Sequence, residues 1–220
     1  MTNKTVKIEF VSDVACPWCA VGLGSLEKAI ENVKDRVEVS LSFRPFELNP
    51  SMPKGGEDTV EHLTKKYGIS AEQIKANQAQ IRDRANEVGF QFNDSMRGRI
   101  YNTFNCHRLL HWALEVYGSE KQYALKRALL SANFYDHANL DDNEVLLRYV
   151  EKADLDVNGA RQLLASDQYT QEVRQEESHY TSLGIRAVPS IIFNSRHLVQ
   201  GGQPVEVFEQ ALLQLAGELS

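Results

Sequence analysis

Strand-type sequence stands at both ends of this chain, and about 120 residues of almost purely helical signal lie between them. Near the N-terminus, "VKIEFVSDV" alternates as a strand, with Val6, Ile8 and Phe10 on one side. "AVGLGSLEKAIENVK" follows with Leu23, Leu26 and Ile30 on one helical stripe, and "VEVSLSFRPFEL" alternates as a second strand. Gly22 and Gly24 weaken the first turns of that helix, a cost that close packing would explain. After Gly184, "IRAVPSIIF" and "HLVQGG" read as two more strands, and "PVEVFEQALLQLAGEL" as a closing amphipathic helix. Neither the leading βαβ nor the trailing ββα makes a complete sheet alone, so the two must pair across the helical block. The expected fold class is α/β, a βαβ…ββα sheet domain interrupted by a large all-α insertion.

The insertion opens on a loop, "NPSMPKGGED", marked by its prolines and glycines. Helical segments then run from Thr59 to roughly Ser182. "DTVEHLTKKYG" stops at Gly68, and "SAEQIKANQAQIRDRANEVG" opens with a capping Ser70 and closes on Gly89. "NTFNCHRLLHWALEVYG" is more apolar and belongs inside; four further segments complete the block. The predicted division assigns 1–50 and 183–220 to the sheet domain and 51–182 to the insertion.

The chemistry concentrates in "DVACPWCAVG", where Cys16 and Cys19 flank Pro17 and Trp18 at the junction of the first strand and first helix. Zinc needs four ligands, and this pair supplies two; no second CxxC exists, and Cys106, His107 and His111 form no recognised ligand set. No metal site is expected. A structural disulfide would close a tiny loop and stabilise little. Redox chemistry fits best. Cys16 falls at a helix N-terminus, where unpaired N–H groups and the helix dipole favour a thiolate. Such positions lower a thiol pKa from about 8.5 into the range of roughly 3.5–7.5. Pro17 suits the first helical position, having no N–H to leave unpaired. Cys16 is then the attacking thiolate and Cys19 the resolving thiol.

Other residues carry competing readings. Pro189 sits where a strand is indicated, either as a cis peptide that frees the Val188 backbone to bind an extended substrate or as an edge-strand proline in trans. Asp13 could accept a proton during exchange or simply cap a turn. Trp18 is expected exposed beside the thiols, as a substrate contact. Cys106 reads as an inert core thiol. His107 and His111 read as one packed and one outward side chain, and Glu176-Glu177 as a solvated helix face.

Composition bounds the function. The formal net charge of −6 argues against nucleic-acid binding. No run approaches the roughly 18 apolar residues of a membrane span. Read as it stands, the N-terminus carries no apolar leader, so the expected compartment is the cytoplasm, where structural disulfides are rare.

"CPWC" after a first strand, a helical insertion, then "GIRAVPSIIFN" and "GGQP" resemble the thioredoxin superfamily. Within it the chain is similar to DsbA-like thiol–disulfide oxidoreductases. "SDVACPWCAVG", "NTFNCHRLL" and "GIRAVPSIIFN" resemble the cytoplasmic FrnE-like branch, grouped with 2-hydroxychromene-2-carboxylate isomerases. The resemblance implies a thioredoxin fold split by a helical domain, with Val188-Pro189 as a cis-proline loop facing the cysteines. It implies that Pro17 and Trp18 tune the redox poise and that Asn102, His107 and Arg108 line the cleft. It implies a disulfide-containing protein or small thiol as substrate, with no resident cofactor. The isomerase and kappa-class transferase relatives carry serine where Cys16 stands, and relatives usually carry alanine in place of Cys106. A glutathione-dependent isomerase is therefore the second reading, and a non-enzymatic, chaperone-like binding module the third.

Overall fold

β1 (Thr5–Ser12) lies inside a four-stranded sheet and holds its two halves together. The computed structural model describes residues 5–218. After β1 come α1 (Pro17–Val33) and β2 (Glu38–Pro45), and β2 pairs parallel with β1 from Thr5–Glu38 to Ser12–Pro45. The insertion carries β3 (Glu57–Asp58), α2 (Thr59–Tyr67), α3 (Ala71–Glu87), β4 (Arg99–Ile100), α4 (Phe104–Tyr117) and α5 (Ser119–Phe134). It continues through α6 (Asn143–Lys152), α7 (Val157–Leu164) and α8 (Thr170–Ser182). The chain then returns as β5 (Ser190–Phe193), β6 (His197–Gln200) and α9 (Val205–Glu218). β5 pairs antiparallel with β1 and β6 with β5, giving the order β2-β1-β5-β6. The two ends of the chain thus complete one sheet, as their separate incompleteness requires.

Alternation along β1 sorts its side chains. Val6, Ile8 and Phe10 enter a core with Leu23 and Leu26 of α1 and Phe208 and Leu212 of α9. Each such buried aliphatic or aromatic side chain contributes about 1.5–3 kcal/mol. Glu9 points to the other face, where it accepts from the Tyr180 hydroxyl of α8 and pairs with Arg44 of β2. The insertion has a second core around Leu109, Trp112, Leu129, Leu146 and Leu163. α5 serves both: Leu125 and Leu129 join the helical core, Leu130 and Phe134 the sheet core.

Three details differ from the sequence reading. A two-residue antiparallel ladder, β3 with β4, stands inside the block read as purely helical; it is too short to leave a period. β5 begins at Ser190, so Pro189 precedes the strand and costs it no ladder donor. Glu176 and Glu177 are not a solvated face: α8 packs on β2, where Glu176 pairs with Arg44, while Glu177 pairs with Arg174. Among the described residues, no helix is long and apolar enough to cross a membrane.

Candidate active site

The turn between β1 and α1 is held before the thiols are reached. Asp13 is fully buried; its Oδ1 accepts from the Ala15 amide at 3.1 Å and the Thr103 hydroxyl at 2.7 Å. Its Oδ2 accepts from the Leu48 amide at 2.7 Å, so one carboxylate ties the cysteine turn to the β2 exit and to α4. His107 Nε2 stands 3.4 Å from Oδ1, an ion-pair separation rather than a hydrogen bond. Burial works against the charge on Asp13, but His107, the Leu48 amide and the Thr103 hydroxyl together outweigh it. The carboxyl stays below the usual carboxylate range.

Cys16 is the N-cap of α1 and Pro17 its first helical residue. The helix therefore starts with its free amides around the Cys16 sulfur. Cys16 is 4% exposed and Cys19, one turn further on, is 0%. All three cysteines are free thiols. The Cys16 thiol is held below its ordinary value by a hydrogen bond from Cys19, aided by the Cys19 and Trp18 amides, against burial and the Asp13 charge. Cys19 moves the opposite way, pushed well up by burial and by the Cys16 thiolate beside it. The pair is thus divided into a nucleophile and a protonated partner.

The peptide Val188–Pro189 is cis, and the Cys16 thiol donates to the Val188 carbonyl at 3.5 Å. Gly22 lets this loop close on α1, and Gly202 lets the turn after β6 do the same. A Cβ on Gly22 would stand 3.0 Å from Pro189 Cγ, and one on Gly202 3.1 Å from the Trp18 ring. Trp18 is 40% exposed at the rim. Cys16, Trp18 and Val188 border a groove of about 850 Å³ whose far wall carries Leu63, Tyr67 and Ile74 from α2 and α3. Lys66, Arg97 and Arg186 give it positive charge. Arg97 donates to the Ala15 carbonyl, its Nη1 has no partner, and burial lowers its pKa to about 10.

A DSBA-like thioredoxin domain matches residues 7–213. The chain belongs to this family of thiol oxidoreductases. It is 29% identical over 213 residues to the uncharacterized protein YwbO of Bacillus subtilis (strain 168), covering 94% of this chain and 96% of that one. The crystal structure of a probable DsbA oxidoreductase, SCO1869 from Streptomyces coelicolor, superposes with a TM-score of 0.87 at 37% identity, over 97% of this chain and 91% of that one. A 2-hydroxychromene-2-carboxylate isomerase shares the fold, with a TM-score of 0.71 at 14% identity over 97% of this chain and 99% of that one.

Of the residues singled out in sequence, Cys16, Cys19, Pro17, Trp18, Val188 and Pro189 converge, and Asp13 and His107 lie beneath them. Asn102 and Arg108 are not brought to the groove. Asn102 accepts from the Phe104 amide at the start of α4. Arg108 binds the Leu163, Ser166 and Gln168 carbonyls, because it leaves α4 toward the C-terminal end of α7. Cys106 is fully buried among apolar side chains, and burial pushes its thiol far up. Sequence reasoning passed over Thr103, Gln122, Lys126 and Asn133, all buried polar residues; Thr103 and Asn133 bond to Asp13 and Val14 at the turn, and Gln122 and Lys126 meet Phe43 of β2. The last three share one face of α5, spaced four and seven residues apart, but Glu120, Lys121, Arg127 and Ser131 make its other faces polar too, so no stripe stood out in the sequence. Among the described residues, no cluster of three His, Cys, Asp or Glu side chains could hold a metal.

Proposed function

We propose that the protein is a thiol–disulfide oxidoreductase acting through Cys16 and Cys19. The observation that carries the reading is the opposite setting of the two thiols across one helical turn. Cys16 caps the helix at the groove, where its thiolate is favoured, and Cys19 is sealed behind it as a protonated thiol. Cys16 attacks a substrate disulfide, expelling one half as a thiol, and the mixed disulfide is resolved by Cys19. The groove and the Val188 backbone suit an extended peptide or a small thiol lying across the Cys16 sulfur. The direction of turnover follows from the pair's reduction potential relative to its compartment.

The test is equilibration in glutathione redox buffers followed by alkylation and mass measurement. A Cys16–Cys19 disulfide forming with a defined midpoint is the expected result. A pair that stays reduced at every poise overturns the reading. A second reading draws on the groove's size and its Lys66, Arg97 and Arg186 charges: a glutathione-using isomerase acting on a small carboxylated substrate. Its mark is saturable glutathione binding with turnover that persists in Cys19→Ser.

A further inference from the structure

The chain carries a formal net charge of −6, yet the face around Cys16 is cationic. Two hollows meet there, sharing Pro17 and Arg97 as a common wall. One is the groove described above, with Lys66 and Arg186 on its sides. The other, of about 410 Å³, is walled by Lys75 and Arg82 of α3 and by the segment 92–97. Its apolar surface comes from Met96 and from Phe92 and Phe134, whose rings stack at 4.6 Å.

What these cations bond to is the telling feature. Lys66 donates to the Leu48 carbonyl and Asn49 Oδ1, and Arg82 to the Asp94 carbonyl. Arg97 donates to the Ala15 carbonyl, and Arg186 to the Thr181 and Ile185 carbonyls. Among the described residues, none of the four has a carboxylate within ion-pair distance. Arg44, Arg127, Arg161 and Arg174, elsewhere in the fold, each have one. Of the described residues lining the two hollows, Glu47 and Asp94 are acidic. Glu47 is taken by Arg174, so the exposed Asp94 alone opposes this positive charge. Arg97 stands at the junction with Nη1 buried and unpartnered, a charged donor that is costly to leave unfilled. Lys66 and Arg97 both lie close enough to feel the charge on Cys16.

We propose that the groove and the adjoining hollow form one docking surface for acidic polypeptide. The disulfides exchanged here then lie in segments with Asp or Glu on both sides of the half-cystine and a large apolar side chain nearby. This rests on the thiol–disulfide reading above. A segment laid across the Cys16 sulfur meets Lys66 and Arg186 in the groove and Arg82 beyond Pro17, with Arg97 between them. Guanidinium groups bind carboxylates through paired hydrogen bonds, and the Phe92–Phe134 surface takes the apolar side chain. Glutathione shares the carboxylates but has no apolar side chain to cover Phe92, Met96 and Phe134, which favours a polypeptide. A charged face of this kind speeds encounter by about ten- to a thousandfold and weakens with salt.

The test uses synthetic peptides of one length, each with a phenylalanine and a central cysteine activated as its 2-pyridyl disulfide. The flanking residues are all glutamate, all glutamine or all lysine. The Cys16 thiolate attacks the peptide sulfur and bonds to it. The bond to the pyridyl sulfur breaks, and pyridine-2-thione leaves with that bond's electron pair, its absorbance giving the rate. The glutamate peptide is expected to react about tenfold or more faster than the glutamine peptide, and the lysine peptide slowest, with added salt compressing the order. Equal rates for all three overturn the proposal. In Arg82→Glu and Arg97→Gln the glutamate-over-glutamine ratio is expected to fall about threefold or more. The ratio is taken on one protein, so a loss of active fraction cancels. Ratios unchanged in both variants overturn the assignment to these hollows. The 2-pyridyl disulfide of glutathione is expected to react more slowly than the glutamate peptide and to ignore Arg82→Glu. A glutathione rate matching that peptide's overturns the polypeptide in favour of a small acidic thiol. No pyridine-2-thione from any substrate is the failure of the thiol–disulfide reading itself, and the proposal falls with it.

Discussion

The two thiols of the CPWC turn sit one helical turn apart and meet opposite surroundings. Cys16 looks out on a rim built by the two ends of the chain: Pro17 and Trp18 from α1, Val188 and Pro189 from the loop before β5. Cys19 is sealed behind it, where burial and the Cys16 thiolate raise its thiol and the charge of Lys126, from the insertion, works the other way. At the rim, a hydrogen bond from Cys19, aided by the Cys19 and Trp18 amides, stabilises a thiolate. Behind the rim, burial keeps a thiol protonated. The same residue type thus performs two tasks because dielectric and partners change over a few ångströms. The two cores do not follow this division: Cys16 and Cys19 both pack with the sheet core, whereas Val14, just before them, packs with the helical one. The cysteine turn is the seam between them.

The comparison breaks first, and most visibly, at the thiols. Cys16→Ser is expected to lower disulfide turnover by about a thousandfold or more in an insulin-reduction assay, since the nucleophile is lost. Cys19→Ser leaves the rim intact, so Cys16 is expected to accumulate as a mixed disulfide, seen as added mass on the intact protein. A Cys16 variant that retains turnover removes the distinction altogether.

Asp13 is the next test, because it fastens the insertion to the rim. Asp13→Ala leaves the Leu48 amide and the Thr103 hydroxyl without their acceptor, at a cost of about 3 kcal/mol. The thermal midpoint is then expected to fall by roughly 6–12 °C for a chain of this length. Its folded pKa lies below the unfolded value, so its contribution is fully present above the unfolded pKa of about 3.9. The contribution is lost as pH falls through the folded value. The stability gap between Asp13→Ala and the unaltered protein is therefore expected to narrow on acidification below about pH 4, followed by urea melts across that range.

Gly24 probes how tightly α1 meets the insertion. A Cβ there would lie 2.7 Å from Val88 Cγ2 and 2.8 Å from the Val88 carbonyl oxygen, so Gly24→Ala is expected to destabilise by about 1–3 kcal/mol. Thermal melts read this directly, and an unchanged midpoint shows that α1 and the end of α3 can separate without cost. The smallest effect belongs to the rim's exposed edge. Trp18→Ala is expected to change stability by less than about 0.5 kcal/mol while slowing turnover of a protein disulfide a few-fold.

Much of the sheet was legible in the sequence. Period-two alternation marked β1 and β2, the stripe of Leu23, Leu26 and Ile30 marked α1, and the incompleteness of each end forced their pairing. Two-residue strands such as β3 and β4 left no trace, because a period cannot be read from two positions. Asn102 and Arg108 were expected at the cleft from the segment they share with His107. Consecutive residues of a helix point about 100° apart, however, and Arg108 leaves toward α7 while His107 turns to Asp13.

The sequence by itself determined that a nucleophilic thiol caps a helix, since the cap, the proline after it and the dipole are all local, set within a few residues of Cys16. Only the tertiary structure decided which charges lie behind Cys19. Lys126 stands 107 residues from Cys19 and Thr103 90 residues from Asp13. Electrostatic coupling depends on distance through space and on the burial of both groups, and neither quantity is encoded in their spacing along the chain.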